Sequence, residues 1–246
     1  MEIARTPEAL RALSQRKKRL LAVFPHPDDE AYGCAGALAR AGRDPETAAV
    51  LLCLTRGEAS KMGPERGLSP DEVGTLREGR LREVAEILGL DGLVVETLPD
   101  SKLARCGLDE VASKIRAVLD ELKPQVLIGH DPRGVNAHPD HIATHWALRH
   151  ALLDRPPIRF AMLAYLQELT EMVKPRLLFA TPEEDIDAVV HLSAEEADAK
   201  ERALRVHEAF ITLRDDGEPS LLRRPPVERY DFLGEDCPEP LDDLFS

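Results

Sequence analysis

Two short clusters of histidine and carboxylate side chains carry most of the chemistry that this sequence offers. They are residues 25–30, which read PHPDDE, and residues 138–141, which read HPDH. Such a mixture suits a hydrolytic zinc site, in which three protein ligands leave one coordination position open for water. Zinc lowers the pKa of that water to about 7, and a further carboxylate can then take its proton. The two clusters therefore predict a metal-dependent hydrolase.

The residues of the two clusters divide into candidate ligands and candidate acid–base groups. His26 can bind the metal together with one of Asp28 and Asp29, while the other aspartate faces the water, and the two aspartates are interchangeable in this argument. His138 and His141 stand three residues apart, so the first turn of a helix would place both on one side. One of these histidines can bind the metal, and the other can stabilise the oxyanion or protonate the leaving amine.

Apolar segments typical of strands alternate with helical segments before residue 155. The predicted strands cover residues 20–24, 48–54, 93–98 and 126–129. The predicted helices cover residues 6–15, 33–41, 69–88, 109–122 and 139–153. This alternation predicts an α/β fold that is Rossmann-like, with a mostly parallel sheet and helices on both faces.

The pattern is looser beyond Arg155. Residues 160–166 and 188–192 are predicted strands, and Ser193 begins a capping box that opens a helix to about residue 210. Residues 214–246 are rich in proline and acidic residues, so we expect them to wrap the surface.

A polar segment follows each of the first four predicted strands. These segments are residues 26–30, 55–58, 99–101 and 131–141. Because open α/β sheets bind ligands at the carboxyl ends of their strands, at a topological switch point, we expect the active site there. The second segment continues into a polar loop, and residues 59–68 of that loop are predicted to form a lid.

Length and composition narrow the class of protein. The 246 residues contain no repeat and no Gly/Ser linker, which predicts one domain over residues 1–246. The formal net charge of −13 argues against nucleic acid or an anionic membrane as a partner. The four cysteines form no CxxC pair, and the apolar run after the basic N-terminal cluster is too short for an export signal or a membrane span. These features predict reduced thiols and a cytoplasmic location.

The two clusters resemble the signature of the LmbE-like, or PIG-L, family of zinc-dependent N-acetylglucosamine de-N-acetylases, in which an apolar strand leads into HPDDE and HPDH follows later. The resemblance takes in Gly33, Gly36 and residues 55–58, and it covers residues 19–150. It implies removal of an acetyl group from an N-acetylated amino sugar or its conjugate, with residues 155–246 as a variable part for substrate or oligomer contacts. It also allows a homo-oligomer.

The resemblance implies which residues bind the metal and which one is the general base. His26, Asp29 and His141 would bind Zn²⁺, although two histidines and one aspartate also accept Fe²⁺. Asp28 would be the general base. Only the family pattern assigns the two aspartates in this order.

The other implied roles fall on the second cluster and on two loops. His138 would assist at the carbonyl oxygen or the leaving group, and Asp140 would orient a neighbouring histidine. Arg56 and Asp100 are the candidate substrate contacts. In the mycothiol-pathway branch of the family a tyrosine stands two residues before HPDH, whereas this chain has Asn136, which argues against a mycothiol substrate.

The remaining histidines and charges have simpler interpretations. His145 is expected to support the site from the helix of His141, and His130 either lines the pocket or ends its strand. His207 has no supporting partner nearby in the sequence and is expected to be an ordinary histidine. Residues 77–83 carry mixed charges and are predicted to be a solvated helix face.

Two other functions fit the same residues. One is an amidase or deacylase that acts on a non-sugar or thiol conjugate, because aromatic residues make up only 4% of the chain and sugar-stacking platforms are few. The other is a metal-binding protein without catalysis. An intact candidate base, Asp28, beside intact candidate ligands argues against the second of these.

Overall fold

The centre of the protein is a seven-stranded sheet within the described residues, which in this computed structural model are 3–172, 177–208 and 226–246. In chain order the strands are β1 (Lys18–Phe24), β2 (Thr47–Cys53), β3 (Gly92–Val95), β4 (Val126–Gly129), β5 (Arg159–Ala164), β6 (Ala188–His191) and β7 (Val227–Phe232). Their order in the sheet is β3-β2-β1-β4-β5-β7-β6. The first five are parallel, and β7 is antiparallel to both of its neighbours. The prediction of a mostly parallel sheet is therefore confirmed.

Helices connect the strands. They are α1 (Asp29–Gly33), α2 (Ala35–Arg43), α3 (Met62–Arg66), α4 (Pro70–Leu88), α5 (Leu103–Cys106), α6 (Leu108–Leu122), α7 (Gly134–Ala137), α8 (Pro139–Leu152), α9 (Gln167–Met172) and α10 (Ala194–His207), with 3₁₀ helices at Glu8–Gln15 and Glu183–Asp185. Among the described residues, no helix is long and apolar enough to cross a membrane.

Two apolar cores lie on opposite faces of the sheet. Alternate residues of β1 point to each side, with Leu20 and Phe24 facing one core and Leu21 and Val23 facing the other. Helices α2, α4 and α10 cover the first face, whereas α6, α8 and the first 3₁₀ helix cover the second. Because helices cover each face, strands β1 to β5 are apolar along most of their length, as their continuous apolar runs predict.

Local signals placed most helix boundaries. Ser69 and Ser193 both form the predicted capping boxes, in which the serine side chain accepts from the backbone N–H three residues later. The predicted helix over residues 33–41 is instead two short helices that break at Cys34, where φ is −141°. The loop predicted over residues 55–68 contains one helical turn, α3. The helix predicted to about residue 210 ends at His207, and residue 210 lies outside the described residues.

The prediction that the C-terminal tail wraps the surface is wrong for residues 227–232. Strand β7 lies inside the sheet between β5 and β6, and the side chains of Tyr230 and Phe232 are fully buried. The charged residues Glu228, Arg229 and Asp231 of this strand conceal a period-two alternation, in which Glu228 also faces inward. Residues 214–225 of the predicted tail lie outside the described residues.

Candidate active site

The polar segments after β1 to β4 meet at one edge of the sheet, as predicted. Since β1 and β4 are neighbours while their connections leave in opposite directions, a crevice opens between their carboxyl ends. A cavity of about 760 Å³ lies over this point. The lining side chains that bear on the chemistry are His26, Asp28, Asp29, Arg77, Asp100, His130, Asn136, His138 and His141.

His26 stands among three carboxylates. Its Nε2 lies 3.2 Å from Asp100 Oδ1 and 3.4 Å from Asp140 Oδ2, and its Nδ1 lies 3.5 Å from Asp29 Oδ2. Burial opposes protonation of the imidazole, but the three carboxylates outweigh burial and raise the pKa of His26 well above its ordinary value. The negative charge of these carboxylates therefore favours the protonated, cationic form of the His26 ring.

Asp29 links the two halves of the site. Its two oxygens diverge, one towards His26 and the other, Oδ1, to within 3.3 Å of His141 Nε2. Burial alone would raise the pKa of Asp29, but the imidazoles of His141, His130 and His26 lower it below its usual range, so the carboxylate is ionised. An ionised carboxylate beside two imidazole nitrogens is a typical donor set for a transition metal.

The donor nitrogens of the two histidines are set by their other hydrogen bonds. His141 Nδ1 lies 3.1 Å from the carbonyl oxygen of Gly134, to which it donates, so the lone pair is on Nε2. In the neutral ring of His26, as a metal ligand requires, donation from Nε2 to Asp100 leaves the lone pair on Nδ1. Both lone pairs then point towards Asp29. The separations of 3.5 Å from His26 Nδ1 to Oδ2 and 3.3 Å from His141 Nε2 to Oδ1 place a carboxylate oxygen of Asp29 beside each donor nitrogen.

Other donor groups overlap this set. Within the described ranges, three groups have donor atoms within 4.8 Å of one another: His26–His138–His141, Asp29–His130–His141 and His26–Asp100–Asp140. His26, Asp29 and His141 do not form one such group together in the described part of the chain, and Asp29 faces each of the two histidines with a different oxygen. The two histidines nevertheless have the orientation typical of metal ligands, since the second ring nitrogen of each bonds to another group, Asp100 for His26 and the Gly134 carbonyl oxygen for His141.

Asp28 lies beside this donor set in a strained backbone conformation. Its φ is +129°, which a residue other than glycine rarely adopts and which costs about 1–3 kcal/mol. Its carboxylate lies 3.1 Å from the guanidinium of Arg77. Burial raises the pKa of Asp28 to about 7, with a further contribution from Asp29, while the charge of Arg77 opposes the rise. A carboxyl with a pKa near neutrality suits a general base.

His138 is held with its Nε2 free to donate. Its Nδ1 accepts from the backbone N–H of Asp140 at 3.2 Å, so in the neutral ring the proton is on Nε2. Burial lowers the pKa of His138, and the charge of His26 lowers it further. The carboxylate of Asp140 accepts from the backbone N–H of Leu103 at 3.0 Å and reaches His26 with its other oxygen.

The structure places His130 in the pocket and His145 behind it. The ring of His130 stacks on that of His141 with 3.9 Å between centroids, and its Nε2 lies 3.8 Å from Asp29 Oδ1. His145 Nδ1 lies 2.9 Å from the carbonyl oxygen of His130, to which it donates. Over the described part of the chain, His130 Nδ1 and His145 Nε2 are the buried side-chain nitrogens and oxygens that have no hydrogen-bond partner.

The candidate substrate contacts differ in their placement. Asp100 lines the pocket, and its Oδ2 accepts from the backbone N–H of Ala59 at 2.8 Å. Arg56 is directed to helix α4, where it pairs with Asp71 at 2.9 Å and with Glu78 at 3.1 Å. Its side chain is therefore engaged by the protein itself.

Sequence reasoning missed Arg77. The solvated helix face predicted for residues 77–83 is wrong at this position, because Arg77 is 4% exposed and donates to the carbonyl oxygens of Pro27 and Gly57. A signal was present, since Arg77 lies on the buried stripe of α4. That stripe consists of Val73, Arg77, Leu81, Val84, Ala85 and Leu88.

Comparison with known proteins identifies the family of this chain. Residues 21–152, more than half of the chain, match a protein family described as PIG-L: GlcNAc-PI de-N-acetylase. The chain therefore belongs to the PIG-L family, as the resemblance of the two clusters implied. The solved structure of a zinc-inhibited form of teicoplanin deacetylase has the same fold, with a TM-score of 0.67 at 18% identity over 87% of this chain and 97% of that one.

Two curated relatives are deacetylases of sugar conjugates. The chain is 28% identical over 242 residues to the 1D-myo-inositol 2-acetamido-2-deoxy-alpha-D-glucopyranoside deacetylase of Mycobacteroides abscessus, which covers 83% of this chain and 86% of that protein. It is 33% identical over 143 residues to a probable N-acetyl-alpha-D-glucosaminyl L-malate deacetylase 2 of Bacillus anthracis, which covers 58% and 62%. With another inositol-conjugate deacetylase, from Kineococcus radiotolerans, the match spans 45% of the relative's length.

Proposed function

We propose that this protein is a zinc-dependent hydrolase that removes the acetyl group from an N-acetylated amino sugar conjugate. The observation that carries the proposal is Asp28, a buried carboxyl with a pKa of about 7, beside a donor set of His26, Asp29 and His141 at the floor of an open pocket. Membership of the PIG-L family and the activities of the two relatives support the same reaction.

His26, Asp29 and His141 would hold the metal ion. When bound, the ion supplies Lewis-acid polarisation of water and of the acetyl carbonyl. Zn²⁺ suits this mixture of nitrogen and oxygen donors, and Fe²⁺ is the alternative that the same donors accept.

The chain's own residues move the protons. Asp28 takes a proton from the attacking water, and Arg77 stabilises its ionised form. His138, which is neutral with its proton on Nε2, donates to the developing oxyanion or to the leaving amine. Asp140 fixes both His138, through its backbone N–H, and His26, through its carboxylate.

The two predicted substrate contacts differ in how accessible they are to a substrate in the pocket. Asp100 lines the pocket and can accept a hydrogen bond from a sugar hydroxyl. Arg56 would first have to release Asp71 or Glu78. Asn136 is exposed and lines the pocket where the mycothiol-pathway branch has tyrosine, so we infer a conjugate other than the mycothiol precursor.

A cytoplasmic location is part of the proposal. Cys34 and Cys53 are buried free thiols, which fits a reducing compartment. The net charge of −13 again argues against nucleic acid and anionic membranes as partners. Small N-acetylated sugar conjugates are the expected partners.

The test is acetate release by protein loaded with zinc and analysed for metal. The substrates are N-acetylglucosamine, its malate and inositol conjugates, and diacetylchitobiose. Release from at least one of these would establish the deacetylase. No release from any of them by protein with stoichiometric zinc would contradict the proposal and favour a non-sugar acyl substrate or a metal-binding role without catalysis.

Removing the metal should abolish turnover reversibly. We expect dialysis against a chelator to lower acetate release to background, because the Lewis acid that polarises water and the acetyl carbonyl is then absent. One equivalent of Zn²⁺ or Fe²⁺ should restore acetate release. Metal analysis alongside the activity assay checks this. Full turnover by protein with less than a tenth of an equivalent of any transition metal would contradict it.

Replacing Arg77 by glutamine should shift the pH dependence. Arg77 lowers the pKa of Asp28, so its loss raises that pKa by about one unit or more, and the base is then protonated at pH 7. The acid limb of kcat/KM moves to higher pH, so activity at pH 7 falls by about fivefold or more and recovers at higher pH. Arg82→Gln, on the same helix, is the control. Identical pH profiles for Arg77→Gln and the wild type would exclude this role.

A further inference from the structure

A buried hydrogen-bonded chain runs from α10 to the backbone of the proposed base. Glu30 is fully buried, and its two oxygens engage different partners. Oε2 accepts from the backbone N–H of Asp28 at 3.0 Å, and Oε1 lies 2.7 Å from His207 Nε2, which donates to it. His207 is 5% exposed and is the last residue of α10.

The first link of this chain bears on a strained residue. Asp28 has a φ of +129° and immediately precedes α1, so its N–H is one of the donors at the start of that helix. Such a conformation persists only where the surroundings hold it. The carboxylate of Glu30 is a negatively charged acceptor for that N–H, and it therefore fixes the direction in which the Asp28 side chain leaves the backbone.

The second link fixes Glu30. A carboxylate that bonded only to Asp28 could rotate about its side-chain torsions, whereas the bond to His207 sets its plane. Arg80 donates to the carbonyl oxygen of His207 at 2.9 Å and ties this end of α10 to α4. Charges that face the imidazole from other elements are Glu30 and Asp28 near α1 and Arg77 on α4.

We propose that His207 is a positioning residue for the deacetylation, holding Glu30 so that Glu30 in turn holds the backbone of Asp28 in its strained, productive conformation. This inference rests on the proposed function of Asp28. It assigns a role in the reaction to the part of the chain beyond residue 155, outside the range that the resemblance of the two clusters covers.

The test compares two replacements of His207 with matched replacements of His191. His207→Leu removes the donor and keeps an apolar side chain, whereas His207→Gln places an amide N–H at the same number of bonds from the backbone as Nε2. His191, exposed at the end of β6, receives the same two changes as a control. The measurements are kcat, KM, bound zinc, thermal unfolding, and crystal structures of the wild type and both His207 variants.

We expect His207→Leu to lower kcat about ten- to a hundredfold, which is the effect of losing one hydrogen bond to a charged group, with KM and zinc content unchanged. His207→Gln should restore kcat to within about threefold of the wild type. Wild-type kcat in His207→Leu would overturn the proposal. So would an equal loss of kcat in His207→Gln, or unfolding of both variants, because these results indicate only a packing role.

The crystal structures separate this inference from the proposed function. If the wild type releases no acetate from any substrate, the proposed function fails, but the conformation of Asp28 in the variants still decides the positioning role. Relaxation of Asp28 from positive φ in His207→Leu and its retention in His207→Gln would support that role. An unchanged Asp28 in His207→Leu would overturn it.

Discussion

Replacement of Asp28 by alanine is expected to lower kcat by about 10²- to 10⁴-fold while zinc content stays at the wild-type level. Asp28 pairs with Arg77 and is not oriented as a ligand, whereas Asp29 carries the oxygens that face the two histidines. Loss of the base therefore removes the proton acceptor and leaves the donor set intact. Steady-state kinetics combined with metal analysis of the same samples measures both quantities.

Asp28→Asn and an exposed control complete this experiment. Asparagine keeps the volume and the hydrogen bond to Arg77 but cannot take a proton, so it should lose as much activity as alanine does. Asp198→Ala, on the exposed side of α10, should leave kcat unchanged. Substantial activity in Asp28→Asn would show that another group is the base. Loss of zinc from Asp28→Ala would instead indicate that Asp28 binds the metal and that Asp29 is the base.

Replacement of His141 by alanine is expected to remove both metal and activity. His141 offers Nε2 towards Asp29, while its Nδ1 is held by the carbonyl oxygen of Gly134. Loss of one of three protein ligands should weaken zinc binding by more than the roughly 10–100-fold typical of supporting residues. Zinc retained after gel filtration, and the zinc affinity measured against a competing chelator, provide the test.

His145→Ala is the matched control because His145 lies one turn further along α8 and is equally buried. It donates to the carbonyl oxygen of His130, so we expect this variant to keep zinc and to lose about 1–3 kcal/mol of stability. Stoichiometric zinc in His141→Ala would rule out His141 as an essential ligand. The donor group of His26, Asp100 and Asp140 would then be the alternative site.

The sequence was most informative where chemistry and geometry are both local. HPDDE and HPDH could be recognised as a candidate metal site because each combines histidine and carboxylate side chains within a few residues. Each also follows a strand of continuous apolar character. The mostly parallel arrangement of those strands followed from the alternation of strands and helices. The capping boxes at Ser69 and Ser193 followed from hydrogen bonds between residues three apart.

Residues whose role depends on distant contacts were misassigned or left without a role. Arg77 was assigned to a solvated face because charges around it suggested water, although the apolar period of α4 placed it inside. Strand β7 was overlooked because its charged residues hide the alternation, and a strand is stabilised by the neighbours that it pairs with, here β5 and β6. The partner of His207 is Glu30, 177 residues earlier.

The sequence by itself thus determined the class of fold, the family and the donor types at the site, because these depend on residue identity and short-range spacing. Only the tertiary structure decided which way each imidazole faces, that Arg77 is the counter-charge of Asp28, and that Arg56 is engaged by α4. Burial and electrostatic pairing are properties of the surroundings in space. A carboxyl acquires a pKa of about 7 only when the folded chain surrounds it, and no local pattern encodes that surrounding.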